Sequence, residues 1–435
     1  MKHRVTVGMF IFLVICFSFS MIGMSATPDV VNVYGAPDFW DQFDGKIAAA
    51  FEKQTGIKVN YVKVTNNTDE YIQKASIAIA SNADVDVMYV AQPIFMANFI
   101  TRDMAVPLDK FAKKDKFDLQ PFGKSIGNLR TLAKDKKLYG LPVNTSFWML
   151  YYNKDLFDQA GVAYPKDDWT WDDFRTAAKE LTKGQGADKI WGAYLHTWEM
   201  YWYGQALQNG IKWYANNSKA TKLSSNKNLI KGLEMISNMA EVDKSTPGYG
   251  DNLASKRHYL GFFETGKVGM TFVGEWMIGS LREHQAKNLF NFKWDVSSLP
   301  VPKGVKPGTT WGNPAMLMIP RNSKNQANAW KYIKFYGSDA GQRIVAQYRL
   351  PARMGDYADI FLAERPGFSS SPGHARAVLN NPQATVLFEK VAGPKCADYQ
   401  RIIAEEGQLA LVGSKTPKEA MASAEKRINN ILAQP

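Results

Sequence analysis

The sequence predicts an α/β protein built in two domains, and three observations carry that expectation. Strand-like and helix-like patterns alternate from residue 30 onward. Beyond an N-terminal apolar segment the chain has about 410 residues, more than one hydrophobic core usually serves. Cysteine is nearly absent, with only Cys16 and Cys396 in 435 residues, so the fold must rest on burial and not on a disulfide framework.

At the start of the chain, Lys2 and Arg4 precede an apolar run over residues 5–22, and the small residues Gly23 and Ser25 close it. That is the layout of a secretory signal peptide occupying residues 1–26, cleaved after Ser25 or Ala26. A retained membrane anchor is the competing reading, because the run approaches the roughly 20 residues that span a bilayer. Lipidation at Cys16 is disfavoured by the bulky Ile15 before it. Cleavage would also remove Cys16 and leave Cys396 as a lone thiol, expected to be a small buried apolar residue.

Residues 30–34 read as a strand, and Phe43, Ile47, Ala50 and Phe51 recur on one helical face that Gly56 terminates. Residues 57–62 alternate with period two, a second helix runs through 71–80, and 85–90 form a third strand. Strand, helix, strand, helix, strand implies a mostly parallel sheet with helices on its faces. In such sheets ligands sit at the loops leaving the carboxyl ends of the strands, here 36–40 and 91–94.

The middle of the chain repeats the pattern. Thr170 and Asp173 form a capping box ahead of the apolar face of Phe174, Ala177, Ala178 and Leu181. Asp155 starts a short helix ending at Gly161, with Leu156 and Phe157 directed under a sheet. Near the C-terminus Thr416, Pro417 and Glu419 open a last helix whose buried face holds Ala420, Met421, Ala424 and Ile428.

The formal charge of +12 becomes +10 once Lys2 and Arg4 leave. The lysines cluster at 110–116 and 134–137, but aspartates interrupt them and no aromatic series is interleaved, so a mixed-charge solvated face is expected and no nucleic-acid partner. Catalytic signatures are also missing. His196, His258, His284 and His374 stand in no metal-ligand spacing, and there is no nucleophile elbow or phosphate-cradling glycine loop. Glu405 and Glu406 are neighbours on one helix and point apart. Tyr151 and Tyr152, an adjacent pair that could suggest iron, belong to a strand end. No catalytic residue, cofactor or metal is assigned. A secreted glycosidase remains the rival class, since it too would be aromatic and carry two carboxylates.

Three separated motifs stand out: Tyr139-Gly140-Leu141-Pro142, then residues 150–157 (Leu-Tyr-Tyr-Asn-Lys-Asp-Leu-Phe), then Thr170-Trp171-Asp172-Asp173-Phe174. Gly269 to Trp276, Leu299-Pro300-Val301-Pro302 and Trp330 to Tyr336 continue the series. In order and spacing the set resembles the extracellular solute-binding proteins of bacterial ABC importers, family 1, and is similar to the maltose and oligosaccharide binders among them. The resemblance implies a two-lobed periplasmic-binding-protein fold, type II-like, with the ligand cleft between lobes. Mapped onto this chain it gives 27–140 and 315–358 to an N-terminal lobe, and 141–311 and 359–435 to a C-terminal lobe. The crossings then fall near 140–147, 309–315 and 352–361. It also implies a periplasmic monomer that closes on a sugar by hinge bending and hands it to a membrane permease, with a polyol or other solute as the alternative cargo.

Aromatic faces match the C–H face of a pyranose, while amide, carboxylate and guanidinium groups satisfy its hydroxyls. Trp276, just beyond the strand-like residues 268–273, stands where the resemblance places a stacking tryptophan, with Glu275 beside it. Trp311 lies at the second crossing, and Trp198 and Tyr201 come from the aromatic-rich stretch 191–214, most of whose rings are expected in the core. Asn144 and Ser146 follow Pro142 at the first crossing. Asp38 and Trp40 leave the first strand, Gln92 leaves the third, and Arg353 and Tyr399 complete the candidate set. Asn144 and Ser146 replace an acidic residue of the maltodextrin binders, so an identical ligand is not expected.

Overall fold

Two hydrophobic cores, each laid on its own sheet, organise the chain. The computed structural model describes residues 29–434 apart from 67, 217, 371, 382, 392 and 394, so the segment read as a signal peptide lies outside the described residues. In chain order the strands are β1 (Val30–Gly35), β2 (Lys58–Lys63), β3 (Val87–Val90), β4 (Leu141–Thr145), β5 (Trp148–Asn153), β6 (Trp191–Tyr194), β7 (Val268–Gly274), β8 (Trp294–Ser298), β9 (Thr309–Gly312), β10 (Pro314–Met318) and β11 (Thr385–Phe388).

The first sheet has the order β2-β1-β3-β10-β4, the second β6-β7-β5-β8, and β11 pairs with β9 as a short ribbon. Pairing is parallel for β1 with β2 and β3, and for β6 with β7. The strands beside a crossing run antiparallel: β10 against β3 and β4, β5 against β7 and β8. A strand arriving from the other lobe needs no crossover helix, so nothing constrains it to the parallel direction that a βαβ unit imposes.

Several helices begin where a side chain satisfies free amides of the first turn. Thr170 and Asp173 close a capping box at helix Trp171–Leu181, as Thr416 and Glu419 do at helix Pro417–Leu432. The short helix Lys154–Ala160 is capped by Asn153, two residues before Asp155, with the Asn153 side chain accepting from the Leu156 amide. In the first lobe the fully enclosed Asp44 carboxyl accepts from the Tyr61 hydroxyl at 2.6 Å and from the Tyr336 hydroxyl at 2.8 Å. Burial pushes it up to about 6. The lysine-rich face is mixed in charge, with Asp109 paired to Arg130 and Asp115 to Lys334.

The chain changes lobe three times. The first change falls after Thr145 and not at 140–141, because Leu141 and Val143 are buried in the first core and β4 pairs with β10. The division that gave 141–145 to the second lobe is corrected accordingly. The return passes through Asn313, between β9 and β10. The third passage lies between Ala352, packed in the first core, and Phe361, packed in the second. Buried Arg282 holds the segment from Phe361 to Ser369 in place, donating to the carbonyls of Phe361, Ala363 and Ser369 at 2.8, 2.8 and 2.9 Å.

Ser146 and Asn313 bind the first two crossings together. The Ser146 amide donates to the Asn313 carbonyl at 3.0 Å, and the Ser146 hydroxyl to the same oxygen at 3.3 Å. The chains approach so closely that a Cβ on Gly312 would lie 1.9 Å from the Ser146 carbonyl oxygen, which only glycine avoids.

Three aromatic candidates for the ligand site belong instead to the second core. Trp311 is fully buried; its ring stacks at 6.4 Å and 17° on Trp171, sits 5.8 Å from Trp148 and lies on Gly204. Tyr201 is buried with its hydroxyl donating to the Phe272 carbonyl. Tyr399 is buried with its hydroxyl donating to the Trp213 carbonyl at 2.7 Å. In each case apolar packing absorbs the ring, and for the tyrosines a backbone acceptor also satisfies the polar tip. Trp311→Ala is therefore expected to lower unfolding free energy by about 3–5 kcal/mol in urea titration, a cavity cost and not a binding effect. Gly312→Ala should cost about 1–3 kcal/mol by forcing the crossings apart; wild-type midpoints for either variant would contradict these placements.

Candidate functional site

The cleft forms where the carboxyl end of β3 and the crossing strands β4 and β10 meet the carboxyl end of β7. A cavity of about 330 Å³, partly open to solvent, lies there, and a second of about 290 Å³ adjoins it. Tyr89, Ala91, Trp198, Trp276 and Arg349 line both, so the two form one groove. A space of this size accommodates a small or drug-sized molecule.

On the first-lobe side, Gln92 leaves β3 in extended conformation just before Pro93 opens helix Pro93–Thr101. Its Oε1 is buried and has no partner among the described residues. Asn144 stands on β4 opposite Ala315, where the register with β10 shifts between Ala315 and Met316, a bulge beside the cavity. The Tyr89 hydroxyl reaches Asn144 Oδ1 at 3.4 Å. Farther along the groove Asp38 and Asn66 bind each other, the Asn66 amide donating to Asp38 Oδ1 at 2.7 Å.

On the second-lobe side, β7 ends at Gly274 and helix Trp276–Ala286 begins after Glu275. The Trp276 ring folds back so closely that a Cβ on Gly274 would lie 1.7 Å from it. Its Nε1 donates to the Tyr259 hydroxyl at 2.8 Å. Trp198 stands beside it, 5.5 Å from Tyr259 and 4.6 Å from the His196 ring. Burial, then the neighbouring His258, pushes His196 down to about 4, which keeps this aromatic wall uncharged at neutral pH.

Two buried carboxyls close the floor. Glu275 is fully enclosed; Oε2 accepts from the Phe147 amide at 3.3 Å, while Oε1 has no partner among the described residues. Burial pushes it up to about 8, against the lowering effect of the Arg349 charge. Glu389 follows β11, its Oε1 accepting from Trp148 Nε1 at 3.0 Å and its Oε2 from the Asn313 amide, and burial pushes it up to about 7. The groove thus presents unpaired acceptors beside a half-buried indole, a chemistry suited to a ligand rich in hydroxyl donors.

Of the residues chosen from sequence, Gln92, Asn144, Ser146, Trp198, Glu275 and Trp276 line the main cavity and Asp38 lines the adjoining one. Trp40 does not reach either, because the wide turn Trp40–Asp44 sets its ring on Tyr61 at 4.9 Å. Arg353 lies past the cleft, its amide donating to Gln342 Oε1 at 3.2 Å. Trp311, Tyr201 and Tyr399 are core. Sequence reasoning missed Tyr89, Glu199, Asn313, Arg349, Glu389 and Lys390. Asn313 lay inside the proposed second crossing, where the tryptophan drew the choice, and Arg349 lies four residues before the arginine selected.

Residues 27–343 match the family model of the bacterial extracellular solute-binding proteins. The sn-glycerol-3-phosphate-binding periplasmic protein of Pectobacterium atrosepticum is 23% identical over 446 residues, covering 96% of this chain and 94% of the relative. A maltooligosaccharide ABC transporter solute-binding lipoprotein of Streptococcus pneumoniae is 24% identical over 307 residues, 69% of this chain and 66% of its own. Among solved structures, a sugar transporter from Rhizobium etli in an open conformation superposes with a TM-score of 0.76 at 25% identity, covering 92% of this chain and 98% of that one. With the match over residues 27–343, the two cores and the cleft between them, this chain belongs to the bacterial extracellular solute-binding protein family.

Proposed function

We propose that the protein captures a carbohydrate, a sugar or short oligosaccharide, between its lobes and delivers it unaltered to the permease of an ABC importer. The observation that carries this reading is the pairing of the Trp276 ring with the unpartnered Oε1 of Glu275 on one cavity wall. An indole face stacks on the C–H side of a sugar ring while the adjacent acceptor takes a hydroxyl. The maltooligosaccharide and sugar-transport names of similar proteins support the class of ligand. Export by the N-terminal signal would place the mature chain in the periplasm as a monomer that meets its permease at the membrane.

One observation weighs against the enzyme. A glycosidase needs two carboxyls free to act on one bond, whereas both Glu389 oxygens are engaged by Trp148 and Asn313. A phosphorylated polyol, the cargo named for one relative, is the second reading, favoured by Arg349 and Lys390 on the same cavity lining.

A thermal-shift screen of mono-, di- and trisaccharides with sugar alcohols should identify the ligand, since one present at 100 times its dissociation constant stabilises by about 2.7 kcal/mol. Trp276→Ala should weaken that ligand by roughly 2 kcal/mol in titration calorimetry with the fold intact, and unchanged affinity would remove the stacking role. Saturating ligand should also lower the radius of gyration in X-ray scattering and change the fluorescence of Trp198 and Trp276 as the lobes close. An unchanged scattering curve accompanied by turnover of the sugar would favour the enzyme.

A further inference from the structure

Arg349 is the guanidinium common to both parts of the groove. It lies beyond helix Asp339–Val345, its amide donating to the Val345 carbonyl at 2.9 Å, and the next residue, Leu350, accepts from the Thr145 amide at 3.0 Å. The arginine is thereby anchored to the first lobe and to the first crossing at once. Its side chain stands 5.3 Å from the Phe39 ring, and among the described residues the guanidinium makes no hydrogen bond. Across the cavity, on the second lobe, Glu275 presents an enclosed Oε1 that also lacks a partner. A cation and an acceptor on opposite lobes, both unspent, face one ligand space.

We propose that Arg349 is a positioning residue for ligand capture: its unbonded guanidinium on the first lobe and the half-bonded Glu275 carboxyl on the second line one cavity, and the charge of the first holds the second as the acceptor for a ligand hydroxyl. The proposal rests on the carbohydrate reading. It also accounts for the surroundings of Glu275. Arg349 is the cation acting on it, from the segment after helix Asp339–Val345, while Glu389, from the segment after β11, opposes ionisation. Tyr89 at β3, Tyr151 on β5 and Tyr259 at the start of helix Tyr259–Glu264 face it as neutral phenols, each pushed up chiefly by burial. The Phe147 amide supplies a hydrogen bond to Oε2 only. Removal of Arg349 would leave the Phe147 and Glu275 amides as the groups that favour the carboxylate.

The ligand-free arm of the test is a melting-temperature cycle of wild type, Arg349→Met, Glu275→Gln and the double variant from pH 5 to 9. Glu275 rises from an ordinary 4.5 to about 8 on folding, so the folded chain binds the extra proton between those values. Stability therefore falls as pH rises through that window. Without Arg349 the folded value moves higher by about 1 unit or more. Arg349→Met should then lose more stability than wild type between pH 7 and 9, and this extra loss should vanish in the Glu275→Gln background. The second arm measures affinity for maltose, maltotriose and lactose across the same pH range. Wild-type affinity should strengthen as pH rises, Arg349→Met should move the midpoint upward by about 1 unit, Arg349→Lys should restore it, and Glu275→Gln should flatten the profile. Saccharide binding weakened by the same factor at every pH, with no Glu275-dependent loss in the melting cycle, overturns this proposal alone. The melting coupling together with no binding, at any pH, of maltose, maltotriose, lactose or any mono-, di- or trisaccharide of the thermal-shift screen overturns the carbohydrate reading, and with it any role of Arg349 in capture.

Discussion

The fold depends on how two chain segments pass each other between the lobes without leaving polar groups stranded. Ser146 and Asn313 solve this by bonding to each other, and the Asn313 amide then reaches Glu389, which also takes the Trp148 indole proton. Trp148 is in turn the centre of the second core, ringed by Trp198, Tyr201, Trp276 and Trp311 at 5.4–6.0 Å. One chain of hydrogen bonds therefore runs from the hinge to the packing that holds the site, and displacing any member strands a buried donor or acceptor.

Glu275 shows the opposite choice. A carboxyl enclosed with one oxygen unpartnered is costly to keep, since an unmet buried polar group costs on the order of 1–3 kcal/mol. A protein selected only for stability would place an apolar residue after β7. On the proposed reading, that cost is what a hydroxyl-rich ligand would relieve by donating to the free oxygen. Glu389, equally buried, has both oxygens bonded, whereas Glu275 keeps one oxygen without a partner among the described residues. Two carboxyls in one cavity are thus separated in role by their hydrogen bonds and not by their burial.

Much of this was legible in the residues. The βαβ run at the start, the capping boxes at Thr170 and Thr416 and the strand ending before Trp276 are local signals, and each element formed near where its pattern lay. Residues that line the cleft were legible where a strand delivers them: Gln92 after β3, Asn144 on β4, Glu275 and Trp276 after β7. The failures share a physical cause. Trp40, Trp311, Tyr201 and Tyr399 have the chemistry of a sugar site, yet whether a ring faces a cleft or a core is set by partners far away in sequence, as Gly204 and Trp171 do for Trp311. Arg349 and Glu389 were invisible for the same reason, since neither sits in a motif, and β11 is a short strand whose one pairing partner lies 76 residues earlier.

The lobes also touch away from the crossings. Cys396, at the start of helix Cys396–Leu411, is buried against Ile94 and Ala97 of helix Pro93–Thr101, and burial pushes its thiol up. The start of helix Pro93–Thr101 also carries Gln92 and Phe95 into the cavity. Opening about the Ser146 and Asn313 crossings would part the apolar contact and the cleft wall together. The contact is small, Cys396 with Ile94, Ala97 and the partly buried Phe95, and a fully buried large apolar side chain contributes only about 1.5–3 kcal/mol. An opening cost of that order is low enough for thermal motion to supply and high enough for a ligand bridging both lobes to suppress, which is the balance a capture protein needs.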